Sequence, residues 1–374
     1  MPKIIILRHS FTFFLILVSV TLSAQTTRKY SNEFLNIGVD AAAFGMGNAV
    51  TALSNDVNSG YWNPAGLVNI EDWEVSGMHA SYFANIANYD YLAVAKPLDN
   101  ESAIGFSVIR FGVDDILNTT QLIDDQGNIN YDRISLFSTA DYAFTFSYAR
   151  QLKIPGFSYG VNAKVIRRII GDFANSWGFG LDAGIQLERN NWKFGFMARD
   201  ITTTFNAWSI DEEEYANVQN AVEGQNQELP ENTEITLPKL QLGIAKSMTI
   251  RYDFDVKAEL DLNMRFAETN DIISTSAFSI SPAFGFEVGY INLVYLRGGV
   301  NNFQNIETLE GAPNDPDFEG EFQGDERIGF QPSFGVGFKY RGIQVDYAFT
   351  DIGDQSAALY SNVFSLKVSL DSFR

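Results

Sequence analysis

Large apolar residues alternate with small or polar ones along most of this chain. From Tyr142 to Ala149, aromatic residues occupy the even positions, and Ala, Thr and Ser occupy the odd positions. This period of two is typical of a β-strand that is apolar on one face only. The same alternation recurs from Ser176 to Leu187 and from Ser333 to Tyr340. The chain therefore reads as a series of amphipathic strands.

Counting such segments predicts about 14 antiparallel strands, an even number as in single-chain bacterial outer-membrane barrels. The predicted strands are 73–83, 88–96, 101–111, 141–152, 157–170, 176–187, 192–200, 238–247, 252–263, 277–288, 292–299, 330–340, 342–350 and 360–370. The last is followed by Phe373, one residue from the end. The predicted fold class is all-β, a transmembrane β-barrel.

The predicted connections alternate in length. Short links lie at 97–100, 153–156, 188–191, 248–251, 289–291 and 341–342. Long links lie at 112–140, 201–237 and 300–329, with shorter ones at 171–175 and 264–276. All the long links fall on the side opposite the two termini, as the outer loops of a membrane barrel do. A soluble two-sheet sandwich has no reason to segregate its connections in this way.

The first residues have the features of a signal peptide. Lys3 and Arg8 precede an apolar run from Phe11 to Leu22, and Ser23-Ala24 is a small-residue cleavage site. No later stretch approaches the roughly 20 continuous apolar residues of a membrane helix. The predicted organisation is a signal peptide at 1–24, an N-terminal plug at 25–70 and a barrel at 71–374, exported to the outer membrane.

Composition narrows the possible chemistry. The chain has 31 Phe, 16 Tyr and 5 Trp, yet its mean hydropathy is -0.08, so aromatic residues are dispersed among polar ones as in a barrel with aromatic girdles. There is no Cys, and His9 lies in the signal, which leaves His79 as the mature chain's one imidazole. We expect His79 on the lumen side of the first strand. Thiolate and multi-His metal sites and His-based triads are disfavoured, and neither a cofactor nor enzymatic activity is expected.

The formal net charge of -20 argues against a nucleic-acid partner, which needs a basic surface. Acidic residues concentrate in two predicted outer loops, at 211–214 and 314–326. A solvated acidic loop is the expected reading, and calcium binding is the alternative, although no EF-hand loop pattern is present. Within the predicted strands, Asp255, Lys257, Glu259 and Asp261 form a run that predicts either a charge network filling the lumen or a binding ladder.

One stretch before the first strand has a more specific pattern. It contains a glycine pair and, further on, a turn with a rigid proline and a permissive glycine. The residues of this plug motif are Gly45, Gly47, Trp62, Asn63, Pro64, Ala65 and Gly66. A dinucleotide-binding loop is excluded, because the third glycine and the preceding strand are both missing. We expect a compact element small enough to sit in a barrel lumen.

At these residues the chain resembles FadL-like outer-membrane proteins, and more closely the PorV/PorQ family of Bacteroidota-type bacteria. The segments 159–166, 296–300, 334–340 and 346–349 resemble recurrent strands of that family. The resemblance covers essentially the whole mature chain. It implies a 14-stranded barrel with an N-terminal hatch in the outer membrane of a Gram-negative bacterium, associated with type IX protein secretion.

Two functions remain open. The first is a secretion accessory that binds secreted cargo or translocon proteins through its outer loops, with Phe205, Trp208, Asp211, Asp315 and Asp317 as candidate contacts. The second is a FadL-like passage for hydrophobic small molecules, gated by the plug and released through a lateral opening between strands. Dense lumenal charge disfavours a continuous apolar path, which favours protein binding. Outer-membrane lipid is expected around the barrel in either case.

Overall fold

A computed structural model describes residues 31–82, 86–123, 128–212, 232–308, 325–350 and 361–370. The predicted signal peptide and most of the second acidic loop lie outside these ranges. Within them, the chain forms strands of 2 to 17 residues and a few short helices. No helix in the described part is long and apolar enough to cross a bilayer.

The strands follow one another with few interruptions. The first nine are β1 (Glu74–Tyr82), β2 (Ala87–Pro97), β3 (Ser102–Asn118), β4 (Ser135–Gln151), β5 (Phe157–Ile170), β6 (Ala174–Arg189), β7 (Trp192–Arg199), β8 (Thr204–Ile210) and β9 (Thr233–Thr236). The others are β10 (Lys239–Ile250), β11 (Phe254–Arg265), β12 (Ile273–Ser274), β13 (Ser279–Tyr290), β14 (Val294–Thr308), β15 (Asp325–Tyr340), β16 (Ile343–Thr350) and β17 (Ser361–Ser369).

Fourteen of these strands form a closed antiparallel barrel. The ring runs β1 to β7, then β10, β11 and β13 to β17, and it closes because β1 pairs with β17 as well as with β2. The short strands β8, β9 and β12 extend neighbouring strands and do not count as further strands of the barrel. The prediction of an all-β barrel of about 14 strands is confirmed.

Tight turns join the strands at one end of the barrel, which we call the turn end. Asn190-Asn191, Arg251-Tyr252 and Arg341-Gly342 each place two consecutive residues at positive φ. Two-residue hairpins of this kind match the right-handed twist of the strands that they join. The opposite, loop end carries the longer connections, in the arrangement that the sequence predicts.

The barrel wall has an apolar exterior and a mixed interior. In β4, Phe146 points outward and is 56% exposed, whereas Thr145 and Ser147 point inward and are buried. In β15, Phe334 and Phe338 point outward, and Gly335 and Ser333 face the interior. Strand periodicity thus places the large apolar side chains outside, as a lipid-facing wall requires.

Several strands are longer than predicted. β3 continues to Asn118, β4 begins at Ser135, and the predicted loop 201–237 contains β8 and β9. The interpretation of 204–210 as part of a loop was wrong, because Thr204 and Asn206 point inward and Phe205 points outward in regular alternation. This part of β8 pairs with β6, beyond the point where β7 leaves it.

His79 also lies on the other face from the one predicted. Met78 and Ala80 point into the barrel, so His79 points outward, where its Nδ1 lies 2.7 Å from Asp90 Oδ1. The error arose because β1 has small residues on both faces, so its periodicity does not identify the inner one. Within the described residues, no group of three or more His, Cys, Asp or Glu side chains is arranged as a metal site.

The segment before β1 folds into short helices inside the barrel. They are α1 (Ala41–Gly45), α2 (Ser59–Trp62) and two 3₁₀ helices, Glu33–Asn36 and Pro64–Asn69. A third 3₁₀ helix, Tyr131–Arg133, lies in the connection between β3 and β4. Residues 31–70 are mostly buried, and we call this segment the hatch.

Candidate functional site: the hatch and the lumen around it

The hatch lies directly against the backbone of the wall. Six inward-facing wall glycines leave no room for a Cβ, because atoms of the hatch occupy that space: Gly160, Gly184, Gly195, Gly285, Gly299 and Gly335. A Cβ on Gly335 would lie 2.9 Å from Cα of Gly45 in α1, and the reverse holds as well. The alternating glycines in these strands therefore form a seat for the hatch, which we call the glycine ring.

The plug motif lies at the centre of this contact. Asn63 is fully buried, and its Nδ2 donates to the carbonyl oxygens of Thr51 at 3.0 Å and of Ile185 in β6 at 3.1 Å. Its Oδ1 accepts from the backbone N–H of Ala65, which caps the 3₁₀ helix that Pro64 starts. Trp62 Nε1 donates to the carbonyl of Val39 at 3.0 Å. The motif joins two hatch segments to each other and to the wall.

The predicted charge ladder of β11 binds the hatch backbone. Asp261 Oδ2 accepts from the N–H groups of Val50 and Thr51, each at 3.2 Å, and Glu259 accepts from Ala52 at 2.5 Å and Leu53 at 3.0 Å. Both carboxylates are fully buried. These four consecutive N–H groups have no partner in a strand or helix. A buried loop requires a hydrogen-bond acceptor for each of them, and the two carboxylates provide it. The ladder is an anchor for the hatch.

Other strands hold the hatch from other directions. Asn162 Nδ2 in β5 donates to the carbonyl of Gly60 at 2.8 Å, and Gln186 Nε2 in β6 donates to that of Ser54 at 2.9 Å. Arg199 in β7 donates to the carbonyl of Tyr61 at 2.8 Å, with its guanidinium over the Tyr61 ring. The wall residues that bind the hatch therefore come from strands around most of the barrel. None of the described sides of the hatch is left without such a contact to act as a hinge.

Asp40 connects the hatch to the seam where β1 meets β17. Its carboxylate accepts from the N–H of Ala42 at the start of α1, from Asn58 at 3.0 Å and from the Ser365 hydroxyl at 2.8 Å. Burial raises the pKa of this carboxyl to about 6, although the charge of Lys367 opposes the shift. The ordinary pKa of such a group is 3.8, so Asp40 is expected to change its protonation state near pH 6 rather than near pH 4.

One sector of the lumen is aromatic and apolar. Tyr82, Tyr89 and Phe111 point inward from β1, β2 and β3, with ring centroids 6.0 to 6.1 Å apart. Phe34 and Leu35 of the hatch belong to the same buried cluster. We call this surface of β1–β3 the aromatic sector. Charged side chains border it, because Asp141 of β4 lies directly opposite Phe111 and pairs with Arg168 of β5 at 2.9 Å.

The hatch separates two chambers. A cavity of about 610 Å³ at the turn end is lined by charged groups that include Asp40, Asp56 and Lys367. A second cavity of about 370 Å³ lies on the other side of Trp62, towards the loop end, where Arg199 and Lys239 line it. Trp62 borders both cavities, so it belongs to the partition between them.

The regular strand pairing of the wall is interrupted beside the hatch, although the N–H of Ile201 still donates to the carbonyl of Leu181 in β6 at 2.9 Å. β7 pairs with β6 up to Ala198, and β8 resumes the pairing at Phe205, although the two β6 partners, Ala183 and Phe179, are only four positions apart. The extra residues form a bulge in which Asp200 and Thr203 have positive φ, a conformation that is rare for a β-branched residue. On the other side of the bulge, Leu237 and Pro238 separate β9 from β10. The interruption therefore crosses two adjacent strand pairs.

A buried ion triad holds the bulge in place. Lys164 Nζ lies 2.8 Å from Asp182 Oδ1 and 2.5 Å from Asp200 Oδ1, and the three side chains are at most 8% exposed. Asp182 also accepts the backbone N–H of Asp200 at 2.9 Å, in place of a strand carbonyl. The role of Asp200 was missed from the sequence, because the predicted strand 192–200 placed it at an ordinary strand end.

The candidate partner residues are not brought together. Phe205 is 50% exposed on the outer face of β8, whereas Trp208 points inward beneath the guanidinium of Arg168 at 5.1 Å. Asp211 follows β8 and is exposed. Asp315 and Asp317 lie outside the described residues. Phe205 and Trp208 lie on opposite faces of one strand, so they do not form a single loop surface.

Comparison with known proteins bears on the fold. No protein-family profile matches the chain, and no curated protein matches its sequence. Among solved structures, the toluene transporter TodX of Pseudomonas putida aligns with a TM-score of 0.53 and 12% identity over 89% of this chain and 98% of its own. This chain has the fold of TodX.

Two further structures give similar alignments. A second TodX structure aligns with a TM-score of 0.51 and 12% identity over 88% of this chain and 96% of its own. The Ralstonia pickettii toluene transporter TbuX aligns at 0.49 and 10% identity over 88% and 98%. The two TodX alignments cover nearly the whole of that protein and most of this chain.

Proposed function

We propose that this chain is an outer-membrane transporter of hydrophobic small molecules in a Gram-negative bacterium. The observation that carries the proposal is the aromatic sector, which gives the lumen an apolar lining that Phe34 and Leu35 of the hatch cover. Binding sites for apolar compounds are concave surfaces of this kind, lined by hydrophobic and aromatic side chains. The fold shared with the toluene transporter TodX supports the same function.

The charged residues of the lumen do not oppose this proposal. The sequence-based argument that lumenal charge blocks an apolar path is weakened, because Glu259 and Asp261 accept hydrogen bonds from the N–H groups of hatch residues 50–53. Lys164 is likewise used by two carboxylates of the wall. Glu259 and Asp261 lie in β11, seven strands around the ring from β2, so a hydrophobic molecule that follows β1–β3 does not meet them.

The interruption of the wall provides the exit. The hatch is seated in the glycine ring and held from many strands, so a route straight through the barrel would require the whole hatch to leave. The bulge at Asp200–Thr203 lies beside the hatch and faces outward through Ile201, which is 48% exposed. We propose that the ligand leaves the lumen sideways at this bulge, which the Lys164 triad closes in this structure.

Uptake tests the proposal directly. The full chain is expressed in a Gram-negative host that lacks its own hydrocarbon transporter, and accumulation of radiolabelled toluene is measured against an empty vector. Phe111→Ser places a hydroxyl in the aromatic sector and is expected to lower uptake several-fold. Phe106→Ser, in the same strand but on the outer face, is the matched control and should leave uptake near wild type. Uptake no higher than the empty vector for toluene and for larger hydrophobic compounds would overturn the proposal.

The secretion-accessory hypothesis stays a prediction. It depends on the acidic loops, and residues 213–231 and 309–324 lie outside the described part of the chain. The association with secreted cargo, with a translocon or with the PorV/PorQ branch has no support from the contacts or the fold neighbours described above.

A further inference from the structure

A tryptophan at the turn end lies between two cations on the outer face of the barrel. Trp192 is the first residue of β7, and it lies directly opposite Arg189 in β6 and Lys246 in β10. Strand alternation places all three outside, because Phe194 of β7 is 43% exposed and Gly195 faces the hatch. Lys246 Nζ lies 4.8 Å from the centroid of the Trp192 ring. We call Arg189, Trp192 and Lys246 the girdle cluster.

The two cations of the girdle cluster have no acidic partner in the described part of the chain. Both side chains are exposed. Glu188, the acid next to Arg189 in the sequence, lies on the inner face of β6 and pairs with Lys193 at 3.2 Å. The internal gaps in the described chain all fall between strands that meet at the loop end, far from the cluster: 83–85, 124–127, 213–231, 309–324 and 351–360. The positive charge is therefore open to a partner outside the chain.

The girdle cluster lies where the apolar exterior of the wall begins. Aromatic girdles mark the membrane boundaries of a β-barrel, and the short turns are on the periplasmic side. Two further outward cation–ring pairs lie at the same end of the barrel: Lys96 over Trp73 at 4.9 Å and Arg341 over Tyr340 at 5.3 Å. The cluster is thus at the level of the phospholipid headgroups of the periplasmic leaflet, and it has two cations beside one ring.

The spacing of the two cations suits one phosphate group. Neighbouring strands are about 4.8 Å apart, so the backbones of Arg189 and Lys246, on either side of β7, are about 10 Å apart. Both side chains are long enough for their charged ends to reach a phosphate above the indole. A guanidinium offers phosphate two parallel N–H groups, and an ammonium adds a point charge. The indole supplies an apolar ring and an N–H donor at the boundary between lipid and water.

We propose that the girdle cluster is a binding site for one anionic phospholipid, whose phosphate lies between Arg189 and Lys246 and whose acyl chains lie along Phe194. Basic groups at a membrane boundary attract anionic lipids. A headgroup with a net negative charge, such as phosphatidylglycerol, is preferred over phosphatidylethanolamine, because both cations repel the ammonium of the latter. The site is outside the barrel, so it does not depend on the proposed hydrocarbon passage.

Lipid binding to the purified full chain tests the proposal. The protein in an uncharged detergent is titrated with dioleoyl phosphatidylglycerol or with dioleoyl phosphatidylethanolamine, and bound lipid is counted by native mass spectrometry. We expect one phosphatidylglycerol to bind about tenfold more tightly than phosphatidylethanolamine, and added salt to reduce the difference. Soluble glycerol phosphate, which has the anionic group without acyl chains, should not displace the lipid at equal concentration.

Variants locate the site. Arg189→Gln and Lys246→Gln should each weaken phosphatidylglycerol binding about tenfold and leave phosphatidylethanolamine binding unchanged. Trp192→Leu, which keeps an apolar side chain, should weaken it severalfold. Lys153→Gln is the matched control, because it removes one cation from the turn between β4 and β5 at the same end, and no cation–ring pair of the described residues includes Lys153. Resistance of the folded barrel to SDS without heating verifies that each variant is assembled.

Three results would overturn the proposal. The first is equal affinity of the wild-type protein for the two lipids. The second is a preference for phosphatidylglycerol that survives Arg189→Gln combined with Lys246→Gln, or that Lys153→Gln lowers as much. The third is displacement of the lipid by glycerol phosphate at equal concentration, which would indicate a site for a free anion. Toluene uptake enters none of these measurements, so the lipid site and the hydrocarbon passage fail independently.

Discussion

Among single residues, the unusual feature of the hatch is the buried carboxylate of Asp40, which three hydrogen-bond donors orient. Asp40 caps α1 from a backbone conformation with φ of 74°, and its oxygens face Asn58 and Ser365. The Asn58 Oδ1 atom is buried without a hydrogen-bond partner. A proton on Asp40 would provide that partner after rotation of the Asn58 amide, so the protonated form fits this site well.

Asp40 therefore predicts a pH-dependent stability. Its folded pKa of about 6 lies above the ordinary 3.8, so its contribution is full below pH 3.8 and is lost as the pH rises through 6. We expect the wild-type barrel to lose up to about 3 kcal/mol between pH 4 and pH 7 relative to Asp40→Asn, which has no charge to bury. Urea unfolding in lipid vesicles at both pH values measures the difference. Parallel pH profiles for the two proteins would contradict it.

At the scale of secondary-structure elements, the bulge between β7 and β8 combines unfavourable backbone conformations with a buried ion triad. Conformations such as those of Asp200 and Thr203 cost energy and persist where the surroundings impose them. Here Lys164 imposes them, because it binds the wall carboxylate Asp182 and the bulge carboxylate Asp200 together. The triad thus determines the course of the strand.

Removal of the central cation tests this role. Lys164→Met leaves two buried carboxylates without a partner, and we expect the free energy of unfolding to fall by about 3–5 kcal/mol. The matched control is Lys193→Met, because Lys193 pairs at 3.2 Å with Glu188, whose side chain is 57% exposed. An exposed pair of this kind contributes at most about 1 kcal/mol. Equal losses in the two variants would show that the triad has no special role.

The sequence predicts the regular strands better than this bulge. The alternation in β4, β6 and β15 is local and strong, and it yields the strand number and the apolar exterior. The bulge has no such signal, because it depends on Lys164 meeting a residue 36 positions away. The face of His79 was also missed, since the outward position has a local polar partner, Asp90, that periodicity does not report.

At the scale of the whole molecule, hatch and barrel share one packed interface. The plug motif predicted a compact element, but the wall residues that contact Gly45 and Gly47 could not be predicted, because they lie in strands far along the chain. Gly66 is an internal example: a Cβ there would collide with the backbone of Ser54 and lie 2.7 Å from the Ser59 hydroxyl. The hatch is thus tightly packed within itself as well as against the wall.

Gly66→Val is therefore expected to prevent correct seating of the hatch and to lower the yield of assembled barrel severalfold. Gly77→Val is the matched control, because a Cβ at Gly77, on the outer face of β1, meets nothing closer than 4.0 Å. The fraction of protein that resists SDS without heating measures assembly. A Gly66→Val barrel that assembles as well as Gly77→Val would refute the packing argument.

The position of Asp40 beside the closing seam has a consequence for biogenesis. β17 is the strand that pairs with β1 to complete the ring, and Ser365 and Lys367 of β17 bind Asp40 and Asp56 of the hatch. The strand that closes the ring therefore also contacts the hatch. A seated hatch presents a template to the arriving strand, and closure then traps the hatch within the completed ring.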